Sequence, residues 1–164
     1  AKNTPMIGRA APTPAADAEG VYAFFESGDL VALSPAGGAR WQRSLTKEFG
    51  PFTNRHGLGS SPAQSSDALF LLVDQEADGY LLAVSKATGE TLWKADRPDK
   101  SGWSSPVVAE LCGVLQVVVS AAGAVDGYDA ATGDRLWSVG GLTGNSIPSP
   151  AVVDLDPNGD NDFS

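Results

Sequence analysis

The sequence predicts an all-β fold: a partial β-propeller of four-stranded antiparallel blades, about three blades plus the start of a fourth. Three observations carry that expectation. The heptapeptide ATGETLW at 87–93 returns as ATGDRLW at 131–137, 44 residues later. Pro62, Pro106 and Pro150 keep the same step. Between these markers short apolar runs alternate with Gly-containing turns, a pattern of strands rather than helices. A repeat of roughly 40–50 residues with four strands is the mark of a propeller blade, which cannot bury its hydrophobic face alone and stacks on its neighbours.

The units span approximately 7–45, 57–96 and 102–140, with an incomplete unit at 145–164. Each opens on a proline-marked segment: GSSPAQ, WSSPVV and IPSPAVV carry Pro62, Pro106 and Pro150. The runs VYAFFES, ALFLLVD and LQVVVSA follow, rich in β-branched and aromatic residues and of strand length. DLVALS, YLLAVS and VDGYDA supply the third strands, and ARWQRS, TLWKAD and RLWSVG the fourth. The Thr-Gly pair of each ATG segment makes the turn between third and fourth strands, placing Gly89 and Gly133 at positive φ, which only glycine adopts without cost. Trp41, Trp93 and Trp137 then point into the gaps between blades, where an indole contributes a large buried area and one N–H in need of an acceptor.

Composition bounds the function. The chain has 164 residues, enough for one domain or part of a larger one, and its net charge is −9. That balance provides no basic stripe for nucleic acid and disfavours an anionic membrane surface. No apolar stretch reaches the length of a membrane-spanning helix. The opening AKNTPMIGRAAPTPAA lacks the apolar core of a signal peptide. The one cysteine, Cys112, excludes an internal disulfide and any multi-cysteine metal site, and reads as a small buried hydrophobe.

The repeat resembles that of PQQ-type quinoprotein β-propellers, whose tryptophan-docking motif runs A-x-D-x-x-T-G-x-x-x-W. The second unit matches it with Ala83, Thr88, Gly89 and Trp93, Ser85 standing for Asp; the third has Asp129, Thr132, Gly133 and Trp137, with Gly127 for Ala. The first unit is one residue shorter, with Ala32, Ser34, Gly37 or Gly38, and Trp41. The resemblance implies a propeller, and it spans two kinds of function. Some members are dehydrogenases using pyrroloquinoline quinone with calcium; others are non-catalytic, among them outer-membrane assembly lipoproteins and extracellular domains of sensors. Many of the enzymes hold the quinone under a disulfide of adjacent cysteines, which Cys112 alone cannot form. The enzymes' propellers are also several times longer than this chain. The expectation is therefore a protein that is not an enzyme and does not hold the quinone.

Chemistry concentrates at the end of the chain. DLDPNGDND sets Asp154, Asp156, Asn158, Asp160 and Asp162 in alternation, with Gly159 at the sixth position. Alternating carboxylates around a glycine turn can wrap Ca²⁺, a hard cation that takes six to eight oxygens. The loop resembles those of EF-hands and of FG-GAP propeller repeats, without the Glu at the twelfth position and without flanking helices. The bland alternative is a solvated acidic turn. His56, the single histidine, sits in a connecting loop with no nucleophile elbow nearby; its ordinary reading is a loop residue hydrogen-bonding its neighbours, and the functional one is a place on the ligand face. Trp103 has no counterpart in other units and is a candidate platform on the ligand face; packing is its ordinary reading.

The resemblance implies an exported bacterial scaffold, periplasmic or at the cell surface, which the acidic surface and the calcium loop fit, with Ca²⁺ as its cofactor. Its partner is another protein or the remaining blades of a larger propeller. A quinoprotein dehydrogenase fragment and an adhesive subunit assembling edge to edge as a homo-oligomer are the alternatives.

Overall fold

A computed structural model describes residues 12–54, 57–97, 102–144 and 147–152. Three four-stranded antiparallel sheets follow one another along the chain, each a simple meander. The first holds β1 (Ala15–Asp17), β2 (Gly20–Phe24), β3 (Asp29–Leu33) and β4 (Ala39–Ser44). A short helix, α1 (Leu45–Phe49), leads to the second: β5 (Ala63–Gln64), β6 (Ala68–Val73), β7 (Tyr80–Ser85) and β8 (Thr91–Asp96). The third comprises β9 (Val107–Leu111), β10 (Val114–Ala121), β11 (Ala124–Asp129) and β12 (Arg135–Gly140). This is the blade architecture expected, with α1 as an addition inside a stretch read as loop; Leu45 is fully buried and ties it to the core.

The second sheet is sandwiched, which explains why ALFLLV does not alternate. Every residue of β6 is buried. Leu71, Val73, Leu82 and Val84 pack towards the first sheet, with Phe24, Leu30, Leu45 and Leu58. Phe70, Leu72, Leu81 and Ala83 pack towards the third, with Val117, Val119 and Tyr128. A strand buried on both faces has no position for a polar side chain. Full burial of each Leu or Phe contributes about 1.5–3 kcal/mol. The outer strand β12, by contrast, is exposed at all positions but Trp137.

The proline period has a backbone cause. Thr13 N–H donates to Ser61 Oγ at 2.8 Å, Ser61 N–H to Ser105 Oγ at 2.9 Å, and Ser105 N–H to Ser149 Oγ at 2.8 Å. Each serine immediately precedes a proline of the repeat, so one hydroxyl ladder links the unit openings. The fourth opening joins in phase.

Cys112 departs from expectation: it is exposed, at φ 52° in the hairpin turn between β9 and β10, followed by Gly113 at φ 76°. Two consecutive positive φ angles set a tight turn whose first side chain faces solvent, so turn geometry overrides the thiol's apolar character.

Candidate functional site

The junctions between blades carry the chemistry of the described residues. At the first junction the Trp41 indole N–H donates to the Lys86 carbonyl at 2.9 Å; at the second Trp93 donates to the Ala130 carbonyl, also at 2.9 Å. Both rings lie on the glycine of the next blade's turn. Gly89 and Gly133 have φ of 78° and 79°, and a Cβ there would come within 2.7 and 2.6 Å of the Trp41 and Trp93 rings. Glycine is thus required twice over, by conformation and by the approach of the indole.

Trp137 behaves differently. Its N–H donates to Gln116 Oε1 of its own sheet at 2.7 Å. A Cβ on Gly127, its cross-strand partner, would sit 2.2 Å from the ring. The corresponding partners of Trp41 and Trp93 are Ala32 and Ala83, whose methyl groups hold the indole off the sheet.

Behind each tryptophan the two gaps contain different ionic arrangements. In the first, the Lys86 ammonium donates to the carbonyls of Ser65 at 2.9 Å and Ser66 at 3.1 Å and pairs with the Asp17 carboxylate. It also lies 5.5 Å from the centre of the Tyr22 ring. The hydrogen bond from Lys86 holds the Asp17 carboxyl below its ordinary range, helped by the N–H groups of Glu19 and Gly20 and opposed by desolvation.

In the second gap the ion cluster is fully enclosed. Arg97 donates from Nε to Asp74 Oδ1 at 2.8 Å and from Nη2 to Oδ2 at 3.3 Å, a bidentate pair. Its Nη1 reaches across to Asp126 Oδ2 at 3.0 Å and Tyr128 Oη at 2.7 Å. Arg97, Asp74 and Asp126 are each no more than 2% exposed. Burial opposes the guanidinium charge, yet the hydrogen bonds and charge of Asp74 outweigh it and raise the Arg97 pKa. Among the described residues the second Asp126 oxygen accepts no hydrogen bond; Arg135 Nη1 stands 3.9 Å from it.

On the connecting-loop side, Trp103 is half-buried and its indole N–H donates to the Gly57 carbonyl at 3.0 Å, joining two connections. His56 and the acidic loop with Asp154, Asp156, Asn158, Asp160 and Asp162 lie outside the described residues. Among the described residues no group of three or more His, Cys, Asp or Glu is arranged to hold a metal. No described helix is long and apolar enough to cross a membrane.

Sequence reasoning missed the Arg97 cluster and the Lys86 plug. One signal existed: Asp126 stands between Val125 and Gly127 inside the strand run AVDGYD, and a charge buried there needs a partner.

Comparison with known proteins places this architecture. The family model described as "Outer membrane protein assembly factor BamB" matches residues 1–55 and 52–159. Over 88 residues the chain is 30% identical to methanol dehydrogenase [cytochrome c] subunit 1 of Methylorubrum extorquens, covering 49% of this chain and 13% of that protein. BamB from Moraxella catarrhalis superposes with a TM-score of 0.61 at 23% identity, covering 84% of this chain and 42% of BamB. Quinohemoprotein alcohol dehydrogenase from Comamonas testosteroni does so with a TM-score of 0.63 at 15% identity, covering 86% and 30%. A europium-containing methanol dehydrogenase gives 0.57 at 22% identity, covering 77% and 24%. The chain thus spans less than half the length of each of these relatives. With three meander blades joined by tryptophan docks and a family match along most of its length, the chain belongs to the PQQ-like β-propeller family of the outer membrane protein assembly factor BamB.

Proposed function

We propose that the chain is a non-catalytic, exported propeller module that binds another protein through the loops at 46–60, 95–104 and 140–148. One observation carries this reading: the buried groups fit for acid–base work, Asp74 and Asp126, are committed to Arg97 within a blade junction. There they hold two blades together. The family match to an assembly factor supports the same reading. Loops set on a rigid scaffold are the ordinary place for recognition.

The acidic loop at 154–162 would hold a structural Ca²⁺. Its donor set of carboxylate and amide oxygens has the hardness that ion prefers, with Asp154, Asp156, Asn158 and Asp162 as side-chain ligands and Asp160 through its carbonyl. The family match supports a periplasmic or cell-surface location, and millimolar calcium outside the cytoplasm suits such a site.

The 30% identity to a methanol dehydrogenase subunit favours a second reading, a fragment of a quinone-dependent dehydrogenase. A dye-reduction assay with pyrroloquinoline quinone, Ca²⁺ and a primary alcohol separates the two. The scaffold reading expects no quinone-dependent reduction, together with calorimetric binding of Ca²⁺ that Asp156→Asn weakens. Quinone-dependent turnover would overturn it.

A further inference from the structure

The two blade gaps are built on one plan, and one of them lacks a part. Lys86 and Ala130 are equivalent residues. Each donates its N–H to a carbonyl at the start of its own blade's second strand, Lys86 to Asp67 just before β6 and Ala130 to Leu115 in β10, both at 2.9 Å. Each accepts the docking tryptophan's indole N–H on its own carbonyl. Through the strand pairing, Ser65 and Ser66, whose carbonyls hold the Lys86 ammonium, correspond to Ala109 and Glu110, and the third blade's hairpin runs two residues further on each strand, bringing Gly113 and Val114 to the groove.

Lys86 fills its gap. Its side chain is 6% exposed, and the groove left beside it measures about 270 Å³. At the second gap Ala130 provides only a methyl group. A groove of about 580 Å³ opens there, lined among others by Ser65, Asp67, Leu92, Val114, Leu115 and Asp129. No described side chain takes the place of the lysine. Leu92 and Leu115, 52% and 42% exposed, offer apolar walls to an alkyl stem. The Asp67 and Asp129 carboxylates stand at the same groove. Each uses Oδ1 to cap its own turn, and neither Oδ2 is engaged among the described residues.

We propose that this groove receives a lysine side chain from an extended segment of a protein partner. The inserted ammonium would fill the groove as Lys86 fills the first, held by the charge of Asp67 and Asp129. The occupant is identified by the molecule's own solution at the first gap, and the chain's net charge of −9 favours its approach. The groove lies at the Thr-Gly turn end of the blades, opposite the loops at 46–60, 95–104 and 140–148. The inference therefore goes beyond the loop-borne reading, and either can fail without the other.

The test is equilibrium binding of a fluorescent acetyl-Gly-Leu-Lys-Leu-Gly-amide to the purified chain, beside the same peptide with its lysine Nε-acetylated. Saturable binding below about 1 mM is expected, with the acetylated peptide at least about tenfold weaker. Ala130→Lys, which supplies the plug from within, should abolish binding. Should that variant fail to fold, Asp67→Asn serves in its place: Asp67 is exposed, the amide keeps an oxygen for the Ser65 and Ser66 hydroxyls, and about a several-fold loss is expected. Absence of binding, equal binding of the acetylated peptide, or binding unchanged in both variants would overturn the proposal. So would displacement of the probe by self-association of the chain in sedimentation at the same concentrations, which would make a second copy the occupant.

Discussion

The first and second blade gaps share a backbone frame and differ in what stands inside it. Both have a tryptophan over a positive-φ glycine and an indole N–H on a carbonyl three residues before it. The first gap seals its outer groove with Lys86 and a partly solvated Asp17. The second seals its interior with Arg97 between Asp74 and Asp126, and leaves the outer groove open at Ala130. The contrast teaches that docking is set by the repeat, while charge is distributed blade by blade. A buried ion triad and an open groove can then coexist in one junction.

That comparison can be broken most forcefully at Arg97. Arg97→Ala strands two buried carboxylates, and about 3–5 kcal/mol of unfolding free energy should be lost in urea melts. Arg97→Met with Asp74 retained should do little better, because the uncompensated charge, and not the lost packing, dominates. Trp93→Ala should cost about 3–5 kcal/mol, since the ring is 9% exposed between two sheets. Trp137→Ala should cost clearly less, because among the described residues that ring packs on its own sheet. Equal losses at the two positions would show that the third sheet's outer face is as well covered as the second gap.

Gly133→Ala and Gly89→Ala come next, at about 1–3 kcal/mol each, from backbone strain and collision with the docked indole. The Gly127→Ala change probes the third tryptophan alone. It should expel Trp137 from its seat by Gln116 and shift its fluorescence to the red, with little effect on the other two rings.

The smallest effect sharpens the first gap. Asp17 is held below its ordinary pKa chiefly by Lys86. A depressed carboxylate contributes stability that is present above its unfolded value, about 3.9, and is lost as pH falls through the folded one. Melts between about pH 5 and pH 2 should therefore show a decline that Lys86→Ala reduces. A decline of the same size in that variant would mean that the pair contributes nothing to folding.

Much of the fold was legible in the sequence, for physical reasons. The ATG turns announce themselves because only glycine meets both demands of the dock, and ALFLLV reads as a fully buried strand because both its faces are covered. The Ser-Pro spacing reports a hydroxyl ladder that recurs once per blade. The site was less legible. That Lys86 plugs a gap depends on Asp17 and Tyr22 of the preceding blade, whose register is set by a unit of different length. The Arg97 triad draws its members from β11 and from the segments beyond β6 and β8, and no local pattern links them. The substitution of Gly127 for alanine was visible as a departure from the repeat, yet its consequence appears only once the indole is placed. Cys112 misled because its apolar character says nothing about a two-residue turn.

The central claim is that the second gap is the first with its lysine removed. The most direct measurement is a crystal structure of the Ala130→Lys variant. The expected result is an introduced ammonium within reach of the Asp67 or Asp129 carboxylate, with its stem along Leu115 and the groove closed. A side chain extended into solvent over an unchanged groove would contradict the equivalence of the two gaps, and with it the lysine-shaped site.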